Sequence, residues 1–259
     1  MFKKTMSFLL AVVMLFGTLT LTSFAAEDVT VSLRIEGIDK CFFYGDVTVP
    51  VEATVYDVLC KADEADDSLT VVCEAGAWGA FITSVNGVVA GAYTDKGWDG
   101  WSYMVDGVSP EVGISACKVK GGNAVVVYYG DPWNTGMQYP VVKADDLKNG
   151  KFSFTSMDTV YDENWNPVTK EVPVTGYVLT WGYGGKTVEI TPDENGVCTI
   201  PAKYLTPGKH TVQVEKYDAA TKLPTVLRFA PDCTVSVRLL DSIWMFLKSI
   251  AQAIIALFA

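Results

Sequence analysis

Short turn sequences are the feature of this chain that most restricts its fold. Asn86-Gly87 and Asp106-Gly107 in the first half, and Asn149-Gly150, Gly184-Gly185 and Asn195-Gly196 in the second, separate short runs of β-prone residues. Asn-Gly and Asp-Gly pairs readily adopt the positive backbone φ angles of tight hairpin turns. Short strands joined by such turns form antiparallel sheets, so the sequence predicts a mainly β protein.

The first half combines strands with one short helix. Val29–Ile35 alternates apolar and polar residues, which predicts a half-buried strand, and Trp101–Val105 and Ala124–Tyr129 are also strand-like. Thr54 and Asp57 have the spacing of a helix capping box, and apolar residues follow at helical spacing. We therefore predict an α+β domain over 27–135, with one short helix packed on a mostly antiparallel sheet.

The second half contains many short strand-like segments and no convincing helix. Such a pattern predicts an antiparallel β-sandwich over 141–238. The candidate strands are Lys151–Ser156, Gly176–Trp181, Thr187–Ile190, Val197–Pro201, His210–Glu215, Thr225–Phe229 and Cys233–Val237.

The N-terminus is typical of a secretory signal peptide, predicted over 1–25. Lys3 and Lys4 precede the uncharged apolar stretch Phe8–Leu21, and Ser23 and Ala25 supply the small residues of a cleavage site. We expect an extracellular or cell-surface location. A membrane-spanning helix that is retained is the alternative interpretation.

The C-terminal segment 239–259 is predicted to form an amphipathic helix with an unusually wide apolar face. At 100° per residue, the polar residues fall on one arc of about 120°. They are Asp241, Ser242, Lys248, Ser249 and Gln252. Three placements are open: a helix lying on a membrane as a peripheral contact, a helix docked on the protein or on a second copy, and a true span.

Charge and rare residues exclude several function classes. With 20 Lys and Arg against 30 Asp and Glu, the formal net charge of −10 argues against nucleic-acid binding. The only histidine, His210, is predicted to be a surface residue, and it leaves little scope for histidine metal sites or catalytic triads. No metal site and no cofactor are therefore predicted. If the chain divides near residue 140, a Cys198–Cys233 disulfide is one option, and buried free thiols are the other.

Five sequence motifs carry a resemblance to a known family. In order along the chain they are VTVSLRIEG, TVYDVLCKA, FITSVNG, GWDGWSYMVDG and AVVVYYGD. They resemble the transcobalamin-like C-terminal domain family, DUF4430, of secreted bacterial proteins. That family is similar to the smaller β-rich domain of the cobalamin carriers intrinsic factor and transcobalamin. The resemblance implies a β-grasp-like fold and an extracellular ligand-binding or interaction module, with a corrinoid as a candidate ligand.

The second half has a resemblance of its own. PVTGYVLTW, TPDENGVCTIP and LTPGKHTVQVE resemble segments of carboxypeptidase-regulatory-like and bacterial Ig-like surface modules. Such modules mostly serve as spacers or stalks.

An aromatic and acidic cluster in the first half is the candidate ligand site. Flat rings beside carboxylates suit a sugar or a flat cofactor, through stacking and hydrogen bonding. Trp98 lies between glycines and is predicted to be exposed, whereas Trp101 and Tyr103 share one strand face and equally fit a core. The candidate residues are Trp98, Asp99, Trp101, Tyr103, Asp106, Tyr129 and Asp131.

The favoured function is a secreted or cell-surface binding protein that is not an enzyme. Its partner is a small molecule such as a corrinoid, a glycan or a surface protein. One alternative is a structural spacer or adhesin module without a small-molecule ligand. Another is an enzyme acting on cell-wall or other carbohydrate through a carboxylate such as Asp99 or Asp106. The sequence does not decide the ligand, the disulfide pairing or the oligomeric state.

Overall fold

A computed structural model describes residues 27–76, 79–143, 147 and 149–257. The predicted signal peptide lies outside the described residues. The described chain is mainly β with two α-helices, the second of them C-terminal, as predicted.

The first half contains two sheets and one helix. Its elements are β1 (Asp28–Glu36), β2 (Cys41–Pro50), α1 (Val55–Ala65), β3 (Val71–Gly76), β4 (Gly79–Val85), β5 (Val88–Val89), β6 (Gly100–Val105) and β7 (Ala124–Gly130). The larger sheet has the order β2-β1-β7-β6, and the smaller one has the order β3-β4-β5. Strands β1 and β7 are parallel, while the other pairs of both sheets are antiparallel.

Local sequence explains the helix. The hydroxyl of Thr54 accepts a hydrogen bond from the Asp57 amide at 3.3 Å, and the Asp57 carboxylate accepts one from the Thr54 amide at 2.7 Å. The capping box is thereby confirmed. The apolar face of α1 is buried against the larger sheet through residues such as Val58 and Leu59.

The two predicted hairpin turns of the first half also form. Asn86 and Gly87 have φ angles of 47° and 81°, and Asp106 and Gly107 have 52° and 79°. These positive values are those of tight hairpin turns.

Strand β7 is buried on both faces. Val125 and Val127 belong to the core beneath α1, whereas Val126 and Tyr128 pack on the opposite side against Leu227 from the second half. This double burial accounts for its continuous apolar sequence.

The second half is a β-sandwich. Its strands are β8 (Val141–Lys143), β9 (Lys151–Tyr161), β10 (Pro167–Pro173), β11 (Val178–Tyr183), β12 (Lys186–Ile190), β13 (Cys198–Thr199), β14 (Gly208–Glu215) and β15 (Thr234–Val237). One sheet has the order β10-β9-β13, with β8 also paired to β9, and the other has the order β12-β11-β14-β15. Their facing side chains form a second core, in which the rings of Phe152 and Trp181 lie 5.9 Å apart.

Three strand assignments of the second half differ from the sequence prediction, one of them the short strand Val141–Lys143, which was not predicted. Thr225–Phe229 is not a strand: only Val226 makes a bridge, to Gln138, because Leu227 and Arg228 contact the first half instead. Pro167–Pro173 forms an edge strand that was not predicted. Proline is tolerated at such an edge, where one side of the backbone needs no partner.

The prediction that His210 is a surface residue is wrong. Its side chain is buried, with 2% exposure, because β14 pairs with β15 at this position and the ring packs against β11. Its ring nitrogens lie 2.7 Å from the Gly182 carbonyl oxygen and 2.6 Å from that of Thr206. The ring also stacks on Trp181 at 4.6 Å between centroids.

The structure does not contain the Cys198–Cys233 disulfide that the sequence left as an option. All six cysteines lie within the described residues, and each is a free thiol. Cys198 belongs to β13, where its sulfur is 3.5 Å from the Tyr177 hydroxyl. Cys233 precedes β15 in the opposite sheet, so the two thiols lie in different layers of the sandwich.

The chain ends in α2 (Leu239–Leu257), a helix of 19 residues. Among the helices that the structure describes, none has the length and apolar content needed to cross a membrane.

Candidate ligand-binding cleft

Trp98 lies in the glycine-rich loop before β6 and is 56% exposed, as predicted. The Lys96 ammonium lies 5.4 Å from the centre of its ring. Trp98 does not line the aromatic cleft between β4 and β6.

Asp99 is a structural residue of the same loop, with only 3% exposure. Its carboxylate accepts hydrogen bonds from the Tyr93 amide at 2.9 Å, from the Thr94 amide at 3.0 Å, and from the hydroxyls of Thr94 and Tyr129. Burial alone would raise the pKa of Asp99, but these hydrogen bonds outweigh it, so the pKa lies below its ordinary value. The carboxylate fixes the loop and has little capacity left for a ligand.

Tyr129 is fully buried behind the loop. Its ring packs edge-on against Trp101, with 5.3 Å between centroids. Burial, together with the adjacent Asp99, raises the pKa of its hydroxyl. Tyr129 therefore supports the cleft wall and does not face a ligand.

Trp101 and Tyr103 share one face of β6, as the spacing predicts, and both line the cleft. The indole nitrogen of Trp101 donates to the Val88 carbonyl at 2.9 Å, and the Tyr103 hydroxyl donates to the Val112 carbonyl at 2.6 Å. Tyr103 is mainly a core residue, whereas half-buried Trp101 presents part of its ring to the cleft.

Asp106 and Asp131 stabilise turns. Asp106 accepts hydrogen bonds from the Asn123 side chain at 2.7 Å and from the Ala124 amide at 2.8 Å. Asp131 is buried and accepts from the Asn134 side chain at 2.7 Å. Asp99 and Asp131 flank one end of the β6–β7 pair and Asp106 follows the other end of β6, and none of the three lines the cleft between β4 and β6.

The cleft itself lies between β4 and β6 and has a volume of about 410 Å³. Two of its aromatic walls are strongly exposed: Phe81 at 49% and Trp133 at 82%. Trp101 and Tyr128 complete the aromatic lining. Sequence reasoning did not select Phe81, Tyr128 or Trp133, because they come from separate strands and loops. The only sequence signal was the density of aromatic residues around β7.

The polar groups of the cleft are hydroxyls. The Tyr128 hydroxyl interacts with those of Ser102 and Ser109, while burial raises its pKa. Among the described residues that line the cleft, none carries a formal charge. Nor do the described residues contain a cluster of three or more His, Cys, Asp or Glu that would hold a metal ion. The arrangement suits an uncharged ligand with flat or ring-shaped faces.

Comparison with solved structures gives matches to part of the chain. Haptocorrin, in a crystal structure of its complex with Cbi, is 21% identical with a TM-score of 0.37, and the match covers 40% of this chain and 25% of haptocorrin. This chain thus spans about a quarter of the haptocorrin chain. A protein from Ruminococcus gnavus ATCC 29149, proposed to bind metal, is 19% identical with a TM-score of 0.30, covering 39% of this chain and 95% of that one.

Comparison with known families gives a match in the first half. No curated protein matches the chain. Residues 52–131, from the turn before α1 to the residue after β7, match the family described as a domain of unknown function, DUF4430. The sequence-based resemblance to DUF4430 is thereby confirmed for this part of the chain.

Proposed function

We propose that this chain is an exported binding protein, not an enzyme, whose first half binds an uncharged small ligand in the cleft between β4 and β6. The observation that carries the proposal is the pair of exposed rings, Phe81 and Trp133, on a concave surface with Trp101. Large apolar side chains that stay exposed inside a concavity are typical of ligand contacts.

The lining chemistry narrows the ligand class. Aromatic faces stack on the apolar faces of sugar rings or on flat macrocycles, and the hydroxyls of Ser102, Ser109 and Tyr128 offer hydrogen bonds without charge. A glycan satisfies both features. A corrinoid satisfies them too, and it is the ligand class that the sequence resemblance implies.

The carboxylates support a binding role over a carbohydrate-acting enzyme. Asp99 accepts hydrogen bonds from amides of its own loop, Asp106 accepts them from Asn123 and from the Ala124 amide, and neither carboxylate lines the cleft. A general acid or nucleophile must reach the reacting atoms of the substrate. The second half is proposed to be a spacer that presents the first.

Isothermal titration calorimetry of the full chain tests the proposal, with cobalamin, cobinamide and soluble cell-wall and host glycans as ligands. We expect saturable binding of one class, weakened about tenfold in Trp133→Ala and in Phe81→Ala. Trp98→Ala is the matched control, because it removes another exposed tryptophan that lies outside the cleft.

Each contrary result has a clear meaning. Binding lost in Trp98→Ala but kept in Trp133→Ala would move the site to the glycine-rich loop. No heat with any ligand would favour a structural spacer.

A further inference from the structure

The C-terminal helix α2 is oriented with its polar side towards the protein. Met245 packs against the core of the sandwich, and the Lys248 ammonium donates to the Asn149 side chain at 3.3 Å. Lys248, Ser249 and Gln252 line a cleft of about 510 Å³ that they share with the turn before β9 and the segment after β13. The polar stripe therefore faces the fold, and the apolar stripe faces away from it.

The outward stripe is wide and strongly apolar. Eight large apolar side chains of α2 are exposed: Leu239, Leu240, Ile243, Trp244, Phe246, Leu247, Ile250 and Ile255. At 100° per residue they span an arc of about 180°. A packed surface helix normally shows the opposite arrangement, with this stripe turned inwards.

The width of the arc favours a lipid surface over a single protein partner. A single partner helix would cover only the narrow stripe formed by the a and d positions of a coiled coil. Much of the 180° apolar arc of α2 would then remain exposed to water. A lipid surface would cover the whole apolar arc of α2, because a helix lying in the interface buries that entire side in the lipid.

The residues at the edge of the arc match such a boundary. Trp244 lies at the border of the apolar and polar stripes, with the Lys248 ammonium 5.6 Å from its ring centre. Tryptophan prefers the water–lipid boundary, and lysine extends its ammonium towards headgroups. Lys151 and Lys248 both line the cleft beside α2, and none of the described residues lining that cleft is acidic. This local positive charge contrasts with the acidic chain and complements lipid phosphates.

We propose that α2 lies on a lipid surface, with its outward apolar stripe at the headgroup boundary and Lys248, at the edge of that stripe, directed towards lipid phosphates. The helix holds the protein at the surface without crossing the membrane. This inference is independent of the cleft between β4 and β6.

Vesicle flotation of the full chain tests the inference. The vesicles are phosphatidylcholine alone, and phosphatidylcholine in which part is replaced by phosphatidylglycerol. We expect binding that weakens at least about tenfold in the double variant Phe246→Ser/Leu247→Ser, because two large side chains leave the boundary. Trp165→Ser, an exposed tryptophan change elsewhere, is the matched control and keeps wild-type binding. All variants share the N-terminal segment, so the difference between them reports on α2.

A second comparison tests the charge. Lys248→Gln is expected to weaken binding to the phosphatidylglycerol vesicles about fivefold, while Lys186→Gln, at the start of β12 in the sandwich, has no effect. Equal vesicle binding by the wild type and the double variant would overturn the proposal. So would vesicle binding that is absent altogether while sedimentation shows a dimer that the double variant dissociates, since a second copy would then cover the stripe. Far-UV circular dichroism confirms that each variant is folded.

Discussion

Arg228, in the second half, donates two hydrogen bonds to one carboxylate oxygen of Glu36, at the end of β1, from Nη2 at 2.7 Å and from Nε at 2.9 Å. Nη2 of Arg228 also donates to the Gly37 carbonyl at 2.9 Å, and Arg34 donates to the main-chain carbonyl of Arg228. Glu36 is buried, and the Arg228 side chain is largely buried. Burial lowers the pKa of Arg228, but the adjacent Glu36 carboxylate more than compensates, so the pKa is raised. A desolvated ion pair thus joins the two halves.

Replacing Glu36 by Gln removes the charge that neutralises Arg228. Because the guanidinium stays buried, we expect the free energy of unfolding to fall by about 3 kcal/mol. Urea unfolding monitored by fluorescence measures the change. Arg238→Gln, which breaks the exposed pair with Asp241, is the matched control, with an expected loss below about 1 kcal/mol. Similar losses in the two variants would show that burial does not set the strength of the Glu36 pair.

The carboxylate of Asp99 makes stability depend on acid pH. Its folded pKa lies below the unfolded value, so its contribution is fully present above about pH 4 and is lost as pH falls through the folded pKa. Asp99→Asn is expected to lose about 2 kcal/mol at neutral pH and to show a flatter decline in acid. Unfolding in urea at a series of pH values measures both. An exposed loop change, Asp95→Asn, serves as control, and an equally steep acid decline in Asp99→Asn would contradict the assignment.

Gly196 occupies a turn that tolerates no side chain. It has a φ of 79°, and an added Cβ would collide with the Val174 carbonyl oxygen. Gly185 has a φ of 75° but open space around it, so Gly185→Ala isolates the cost of the backbone conformation. We expect losses of about 3 kcal/mol for Gly196→Ala and about 1 kcal/mol for Gly185→Ala in urea unfolding. Equal losses would mean that the turn shifts to accommodate the methyl group.

The free thiols are expected to react slowly with alkylating reagents in the native protein. Burial raises the pKa of Cys198 to about 11, and it raises the pKa of Cys41 to about 12 with a further contribution from Glu36, so little thiolate exists at neutral pH. Iodoacetamide followed by mass spectrometry should label neither residue quickly in the folded chain. In denaturant without a reductant, all six cysteines should react. Fewer than six labels there, restored by a reductant, would reveal a disulfide.

Local features of the fold could be predicted from the sequence, because their signals lie within a few residues. The capping box of Thr54 and Asp57 and the turn at Asn86-Gly87 each involve neighbours in the chain. Burial of His210 could not be predicted in this way. It depends on the pairing of β14 with β15 and on packing against Trp181 of β11, a strand that two other strands separate from β14 in sequence.

The candidate site could be predicted only in part, for the same reason: its residues come together from distant parts of the sequence. Trp98 and Trp101 were found because they lie in one aromatic motif, yet only Trp101 lines the cleft. Phe81 and Trp133 both line the cleft because β4 lies beside β6 in the fold. No short-range sequence pattern encodes the contact between these two strands. The acidic residues of the motif have a structural role instead, since the carboxylates of Asp99 and Asp131 accept hydrogen bonds from backbone amides of their own loops.

The parallel pairing of β1 with β7 has a consequence for how the protein is made. Ser32 pairs beside Ala124, so the first strand of the sheet has no parallel partner until nearly the whole first half has been synthesised. Closing so long a loop is entropically costly and slows folding. Meanwhile one backbone edge of β1 stays unpaired and open to other chains, which makes this half vulnerable to aggregation during biosynthesis.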